Sequence, residues 1–188
     1  DDPVVELVVE DVEAEEDGPE VVVDFVGVFT DVDIATNEDK FNFDVSGGGT
    51  LLSYSLEGSH GTESFALKLS FEPDQNGTTV VKVTATDIQG AFVSDEFNVT
   101  VTPVNDDPVA NLELEGLVFE AEEDGPEVIV GLSQAFTDVD IATNGDEFSF
   151  EVSSGETLAT YSLEGSPGTE TFGLKLTLLE NQNGEEVL

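Results

Sequence analysis

One stretch of sequence occurs twice in this chain. Residues 13–77 align without a gap with residues 120–184, at a constant offset of 107, and about two-thirds of the aligned positions are identical. The phrase FTDVDIATN, for example, occupies Phe29–Asn37 and again Phe136–Asn144. Self-similarity on this scale predicts two copies of one structural unit. Whatever fold the first copy adopts must therefore also suit the second.

A shorter phrase marks the boundary between the copies, since Asp1-Asp2-Pro3-Val4 recurs as Asp106–Val109. We therefore place copy one at residues 1–105, with residues 1–3 as the remnant of a preceding linker, and copy two at residues 106–188. Copy two ends before any counterpart of Val81–Asn105, so we expect it to lack the last strands of the unit. Because the sequence contains no Met, we also expect an interior piece of a longer protein.

The hydrophobic pattern within each copy is that of β-strands. In segments 81–86 and 97–102 apolar residues alternate with polar ones, many of them Thr, and segment 41–45 shows the same period. A period of two buries one face of a strand and leaves the other in water, and turn residues such as Asn76-Gly77 separate the runs. About seven short strands per copy, with little helix, predict an all-β fold of tandem Ig-like, Greek-key sandwiches.

The charge of the chain excludes several classes of function. There are 43 Asp and Glu residues against four Lys and no Arg, which gives a formal net charge of −39. A nucleic acid or an anionic membrane surface would repel such a protein, and no apolar stretch is long enough to span a bilayer. Without Cys there is neither a disulfide nor a thiolate metal site. We therefore expect no nucleic-acid partner and no membrane insertion.

A few of the many acids lie where strands meet turns. A loop between two predicted strands presents three side chains with oxygen atoms, those of Asp31, Asp33 and Asn37. Asp87 follows another predicted strand, and the segment Asn105-Asp106-Asp107 lies on the joint between the copies. Calcium takes about six to eight oxygen ligands, and neighbouring carboxylates repel one another without a cation. This pattern favours calcium bound by separate loops. The alternative is that Asp31 and Asp33 shape a turn and that Asn105-Asp106 caps a strand.

Taken together, these phrases resemble the cadherin-like repeats found in tandem in large bacterial surface and secreted proteins. Such repeats carry a Glu near the start, an Asp-x-Asp followed by Asn, an Ala-x-Asp, and an Asn-Asp linker that ends in Pro. The matching segments here are Glu16, Asp31–Asn37, Ala85–Asp87 and the linker phrase VTPVNDDP at Val101–Pro108. The resemblance covers copy one and as much of copy two as the sequence contains.

Cadherin repeats bind calcium at the joints between consecutive repeats, and the resemblance implies ligands by position. For the joint between the two copies it implies Glu15 or Glu16 from copy one, Asn105, Asp106 and Asp107 from the linker, and Asp138, Asp140 and Asn144 from copy two. For the joint upstream it implies Asp31, Asp33, Asn37 and Asp87, with Asp1 and Asp2 as remnants of that linker. Glu122 and Glu123 are the counterparts in copy two of Glu15 and Glu16.

Two departures from the family affect this calcium assignment. The Asp-Arg-Glu motif of animal cadherins is absent because the chain has no Arg, and Pro103 stands where the linker usually has Asp. Copy two also has no counterpart of Asp87 within the sequence, which leaves the joint one ligand short. We therefore expect fewer calcium ions per joint than in animal cadherins.

The resemblance implies a structural function, in which calcium stiffens an extracellular repeat of a long adhesin or matrix protein. The partners of each repeat would then be its neighbouring repeats. An extracellular location follows because calcium is abundant outside cells and scarce in cytosol. Two alternatives stay open. One is a filament subunit completed by strands from identical chains, and the other is a carbohydrate-binding module for a glycan on a cell surface. No Ser/His/Asp or Cys/His set is present in both copies, so we expect no enzymatic activity.

Overall fold

The computed structural model describes residues 1–37, 40–59, 65–111, 120–122, 124–153, 158–167, 170–182 and 184–185, with the backbone alone at residues 35–37. The chain divides into two compact units, Asp1–Asn105 and Asp106–Leu188. Each unit contains its own strands and sheets.

Unit 1 is built from strands and one short helix. In chain order these are β1 (Val4–Val5), β2 (Val12–Glu15), β3 (Val21–Asp24), β4 (Phe29–Thr30), α1 (Val32–Asn37), β5 (Asn42–Gly47), β6 (Leu52–Glu57), β7 (Ala66–Phe71), β8 (Gly77–Thr86) and β9 (Phe92–Thr102).

The strands of unit 1 form a sandwich of two sheets. One sheet has the order β2-β9-β8-β5 and the other has the order β3-β7-β6, while β1 and β4 form a short separate pair. Strand β2 runs parallel to β9, with Val12 opposite Val99, and the remaining neighbours are antiparallel. This strand order is that of an immunoglobulin-like sandwich, so the predicted all-β, Ig-like fold class is confirmed.

The two sheets of unit 1 share one hydrophobic core. Leu67 and Leu69 from one sheet and Val81, Val83 and Val99 from the other are all 0% exposed and belong to a single packed cluster. The hydroxyl of Tyr54, on β6, donates a hydrogen bond of 2.8 Å to the carbonyl of Val45, on β5. The alternation seen in the sequence thus directs one face of each sheet into this core.

Unit 2 repeats only part of this arrangement among its described residues. Its elements are β10 (Val109–Ala110), β11 (Val128–Gly131), β12 (Phe136–Thr137), α2 (Asp140–Thr143), β13 (Ala159–Glu164) and β14 (Gly173–Leu178). Strands β11-β14-β13 form a three-stranded sheet that corresponds to β3-β7-β6, and the pair β10-β12 corresponds to β1-β4.

Two lysines occupy equivalent positions in the two units. Lys68, on β7, lies 2.6 Å from Glu20 and 4.0 Å from Glu57. Lys175, on β14, pairs with the two glutamates at the matching positions of unit 2, at 2.8 and 3.2 Å. The hydrogen bond to Glu20 raises the pKa of Lys68. Both lysines thus join a pair of acids across their sheets.

The structure corrects one local expectation about Asp31–Asn37. This segment is not a loop, because residues Val32–Asn37 form helix α1, and α2 occupies the matching place in unit 2. The cause is visible at Asp31, whose Oδ1 accepts a 2.7 Å hydrogen bond from the N–H of Asp33. A short acidic side chain just before a helix satisfies one of the N–H groups that the first turn leaves unpaired.

Among the described residues, no helix is both long enough and apolar enough to cross a membrane.

Adjacent residues on β8 provide a test of the two-sheet core. Val81 is 0% exposed and Val80 is 47% exposed. Val81→Ala should lower the free energy of unfolding by about 2–3 kcal/mol because buried methyl groups are lost and a cavity remains, whereas Val80→Ala should change it by less than about 0.5 kcal/mol. Urea unfolding followed by circular dichroism measures both, and equal losses would contradict the assigned faces.

Candidate metal centres

The fold brings several of the predicted acids to one end of unit 1, which we call the Asp31 end. Helix α1 connects the end of β4 to the start of β5. The first residue of β5, Asn42, is paired with Thr86, the last residue of β8. Asp31 therefore follows β4, and Asp87 follows β8, at the same end of the sandwich.

Among the described residues, Asp31 has a hydrogen-bond partner on one of its two carboxylate oxygens. Oδ1 accepts the N–H of Asp33 at 2.7 Å, which is the turn-shaping contact considered as the alternative to metal binding. Oδ2 is buried and has no hydrogen-bond partner among the described residues. The residue as a whole is 9% exposed, so this second oxygen is largely shielded from solvent.

Asp87 shows the same division of its two oxygens. Its backbone N–H donates to the carbonyl of Ala91 at 2.9 Å, and its Oδ1 accepts the N–H of Ala91 at 2.8 Å, which closes the β8–β9 turn. Its Oδ2 is buried without a partner within the described part of the chain, and the residue is 3% exposed. A buried oxygen that bears negative charge is costly to leave without a donor or a cation.

A positive group already lies beside two acids of the Asp31 end. The amino group of Asp1 forms a hydrogen bond and an ion pair with Oδ2 of Asp33. This hydrogen bond raises the pKa of the Asp1 amino group, and the negative charges of Asp33, Asp31 and Asp2 act in the same direction, while burial opposes them. The aspartates near this nitrogen therefore make the local potential negative.

Unit 2 contains an equivalent group of acids. Asp138 Oδ1 accepts the N–H of Asp140 at 2.9 Å, as Asp31 does from Asp33. Asp140 is 2% exposed, and its Oδ2 accepts the backbone N–H of Asp106 at 2.6 Å. Its Oδ1 accepts a hydrogen bond from the side-chain amide of Asn144. Four of the predicted ligands of copy two and its linker thus come together around Asp140.

Glu16 lies at the opposite end of unit 1, where β9 finishes. It is 2% exposed. Its Oε1 accepts the N–H of Val104 at 2.9 Å and its Oε2 accepts the side-chain amide of Asn76 at 3.1 Å. Glu15 is exposed on the other side of the chain. The structure therefore separates the two glutamates that the sequence left as alternatives, and Glu16 is the one that points inward.

The remaining predicted ligands are either exposed or described only in part. Asn37 is the last residue of α1. Asn105, Asp107 and Glu122 are exposed, and Glu123 lies outside the described residues.

Three residues near Glu16 were not identified from the sequence. Asn76 bonds to Glu16, and Asp17 and Asp74 have carboxylate oxygens within 4.8 Å of each other. Both aspartates have a positive φ, 58° and 55°, which places them in tight turns. The recurrence of Glu-Asp-Gly-Pro and of Gln-Asn-Gly in both copies was the signal that could have found Asp17 and Asn76.

The donor set at these places suits a hard divalent cation. Carboxylates, amide oxygens and backbone carbonyls are the ligands that calcium prefers, and the chain has no Cys and a single His to favour a softer metal. A cation would complete the coordination of the unpartnered buried oxygens of Asp31 and Asp87. Among the described residues, however, Asp31, Asp33 and Asp87 do not form a group whose ligand oxygens all lie within 4.8 Å of one another.

Comparisons with known proteins do not assign a family. No family model matches the chain, and no curated protein matches it. The crystal structure of the titin M3 domain is similar over 53% of this chain and 95% of that domain, with 18% identity and a TM-score of 0.38. The endo-fucoidan hydrolase MfFcnA4, of glycoside hydrolase family 107, and its H294Q variant cover 95% of this chain at 15% and 16% identity, with TM-scores of 0.37. This chain spans 24% of their length, and likeness at this level assigns no activity.

Glu16 and its neighbour Glu15 allow a matched test of the buried acid. Each carboxylate oxygen of Glu16 accepts one hydrogen bond. Glu16→Gln replaces one of these oxygens with an amide N–H₂, which cannot accept, so the substitution should lower the free energy of unfolding in chelator by about 1–3 kcal/mol. Glu15→Gln, at an exposed position, should change it by less than about 0.5 kcal/mol. Urea unfolding without calcium measures both variants, and an unchanged Glu16→Gln protein would show that the buried hydrogen bonds are dispensable.

Proposed function

We propose that this chain is a calcium-stabilised structural segment of an extracellular protein, composed of cadherin-like repeats. Each unit would bind calcium through the acids at the end that contains its Asp-x-Asp phrase. In unit 1 these are Asp31, Asp33 and Asp87. In unit 2 they are Asp106, Asp138 and Asp140, together with the amide of Asn144.

The observation that carries the proposal is the pair of buried, unpartnered oxygens at the Asp31 end. Asp31 and Asp87 each satisfy one oxygen with a backbone N–H and leave the other buried without a partner among the described residues. A group that only shaped a turn would gain nothing by burying its second oxygen. A bound cation would compensate that burial and the repulsion between neighbouring carboxylates.

The linker between the units is held by the same kind of carboxylate at each of its ends. The N–H of Val104 donates to Glu16 within unit 1, and the N–H of Asp106 donates to Asp140 within unit 2. These two N–H groups are two residues apart along the chain. Calcium bound by Asp138 and Asp140 would fix Asp106 and so restrict the linker, which supports a role as a stiff spacer.

The remaining features of the sequence support an adhesin or matrix protein more than an enzyme or a glycan-binding module. Calcium sites of extracellular modules are weak, about 10⁻⁴–10⁻³ M, and fill at external calcium concentrations. The chain has no Trp and two Tyr. Tyr54 is half-buried, and its hydroxyl donates a hydrogen bond between the sheets.

A thermal melt of the whole chain tests the proposal. In moderate, fixed salt, about 5 mM calcium should stabilise the protein by about 1–2 kcal/mol relative to chelator, since weak sites would be filled about 5- to 50-fold above their dissociation constants. The midpoint should rise by roughly 5–15 °C. Asp31→Asn and Asp87→Asn should each remove most of the rise that belongs to unit 1.

Asp44→Asn is the matched control because Asp44 is an exposed acid on β5 of the same unit and the change in charge is identical. It should retain the calcium-dependent rise, and magnesium at equal ionic strength should produce little of it. An identical rise in all three variants would mean that calcium acts by general screening, and the proposal would fail.

A further inference from the structure

The sequence contains three Asn-Gly dipeptides, namely Asn76-Gly77, Asn144-Gly145 and Asn183-Gly184. Asparagine is a chemically labile residue. A following glycine increases this lability, because no Cβ hinders the approach of the glycine nitrogen to the asparagine side chain. Asn183 lies outside the described residues. The structure places the other two dipeptides in different surroundings.

The dipeptide Asn144-Gly145 lies at the exposed surface of unit 2, directly after helix α2. Gly145 has a φ of 73°, and a Cβ added there would meet no atom within 4 Å. The N–H groups of Asn144 and Asp146 both donate to the carbonyl of Asp140, at 2.8 and 3.2 Å. The N–H of Gly145, which lies between these two donors, has no hydrogen-bond partner among the described residues.

The peptide that joins Asn144 to Gly145 must rotate before the two groups can react. The ψ of Asn144 is −5°, which holds the Gly145 nitrogen away from the side-chain carbon of Asn144. Helix ends fray readily, and glycine accepts most backbone conformations. Rotation at this place therefore breaks no hydrogen bond of the Gly145 nitrogen within the described part of the chain.

The dipeptide Asn76-Gly77 is held more firmly. Gly77 is the first residue of β8 and is paired with Val101 on β9. Asn76 is half-buried, and its side-chain amide donates to Oε2 of the buried Glu16 at 3.1 Å. The same rotation here would disturb the end of the β8–β9 pair and remove a donor from Glu16. This dipeptide is thus an internal comparison for Asn144-Gly145.

We propose that Asn144-Gly145 is a site of spontaneous deamidation. The main-chain nitrogen of Gly145 attacks Cγ of Asn144 and gives up its proton to the solvent. The side-chain nitrogen of Asn144 leaves as ammonia, and a five-membered succinimide ring remains. Water then opens the ring at either of its two carbonyls, which leaves aspartate or isoaspartate at position 144. The reaction consumes one water, releases one ammonia and needs no oxidant or reductant.

Deamidation here changes the surroundings of a buried carboxylate. The side-chain amide of Asn144 donates to Oδ1 of Asp140, and Asp140 is 2% exposed. An aspartate at position 144 has no N–H₂ to donate and places a second negative charge beside Asp140. Isoaspartate also adds one methylene to the main chain. The matching residue of unit 1, Asn37, is followed by Glu38, so of these two matching asparagines the one in unit 2 alone precedes glycine.

Ageing of the whole chain in neutral buffer with chelator tests the reaction itself. Mass spectrometry of proteolytic peptides measures deamidation at each asparagine, and labelling by isoaspartyl methyltransferase measures isoaspartate. Two short peptides, of residues 140–149 and 72–81, give the rates without a fold.

We expect Asn144 in the folded chain to react within about tenfold of its peptide, whereas Asn76 should be slower than its own peptide by a further factor of about ten, because the β8–β9 pair must open first. Gly145→Ala should slow the reaction at Asn144 in chain and peptide alike. Equal protection of Asn144 and Asn76 by the fold would overturn the proposal.

The consequence for Asp140 is tested with Asn144→Asp, which reproduces one product. Ser149→Asp is the matched control, because it adds the same charge at an exposed position of unit 2. In chelator, amide hydrogen exchange at residues 138–146 should be about tenfold faster in Asn144→Asp, since a buried acceptor loses its donor, and unchanged in Ser149→Asp. Equal exchange in both variants would contradict this consequence. Neither experiment uses calcium, so its failure is distinguishable from a failure of the proposed function.

Discussion

The burial of carboxylates in a chain with almost no cations is the constraint on which this structure depends. Glu16, Asp31, Asp87 and Asp140 are between 2% and 9% exposed, although the net charge is −39. Buried charge must be neutralised or hydrogen-bonded. Glu16 and Asp140 obtain donors on both oxygens from the backbone and from asparagine amides. Within the described part of the chain, Asp31 and Asp87 obtain one donor each, and the other oxygen has no partner.

Three of the four lysines pair with glutamates on the sheets. Lys68 and Lys175 each hold two glutamates across their sheets, and Lys82 pairs with Glu96 on the β8–β9 hairpin at 3.2 Å. These ion pairs are partly exposed, so each contributes little to the free energy of unfolding.

Much of the fold was predictable from alternation, since the β8 and β9 segments show a period of two and each buries one face. The position of Asp87 after β8 followed from the same pattern. The helix α1 was not predicted, because its cause is a single side-chain contact from Asp31 to the N–H of Asp33. The choice of Glu16 over Glu15 depends on which side of the chain faces inward where β2 ends. Residues 149–153 keep the alternation of β5, although they do not form a strand.

Carboxyl ¹³C NMR of the whole chain during a calcium titration tests the central claim most directly, because it reports on each carboxylate by itself. The account predicts that the side-chain carboxyl signals of Asp31 and Asp87 shift saturably with calcium and scarcely with magnesium. Exposed acids such as Asp44 should show small shifts without saturation. If Asp31 and Asp87 instead shift no more than Asp44, calcium does not bind at the Asp31 end, and the buried oxygens need another explanation.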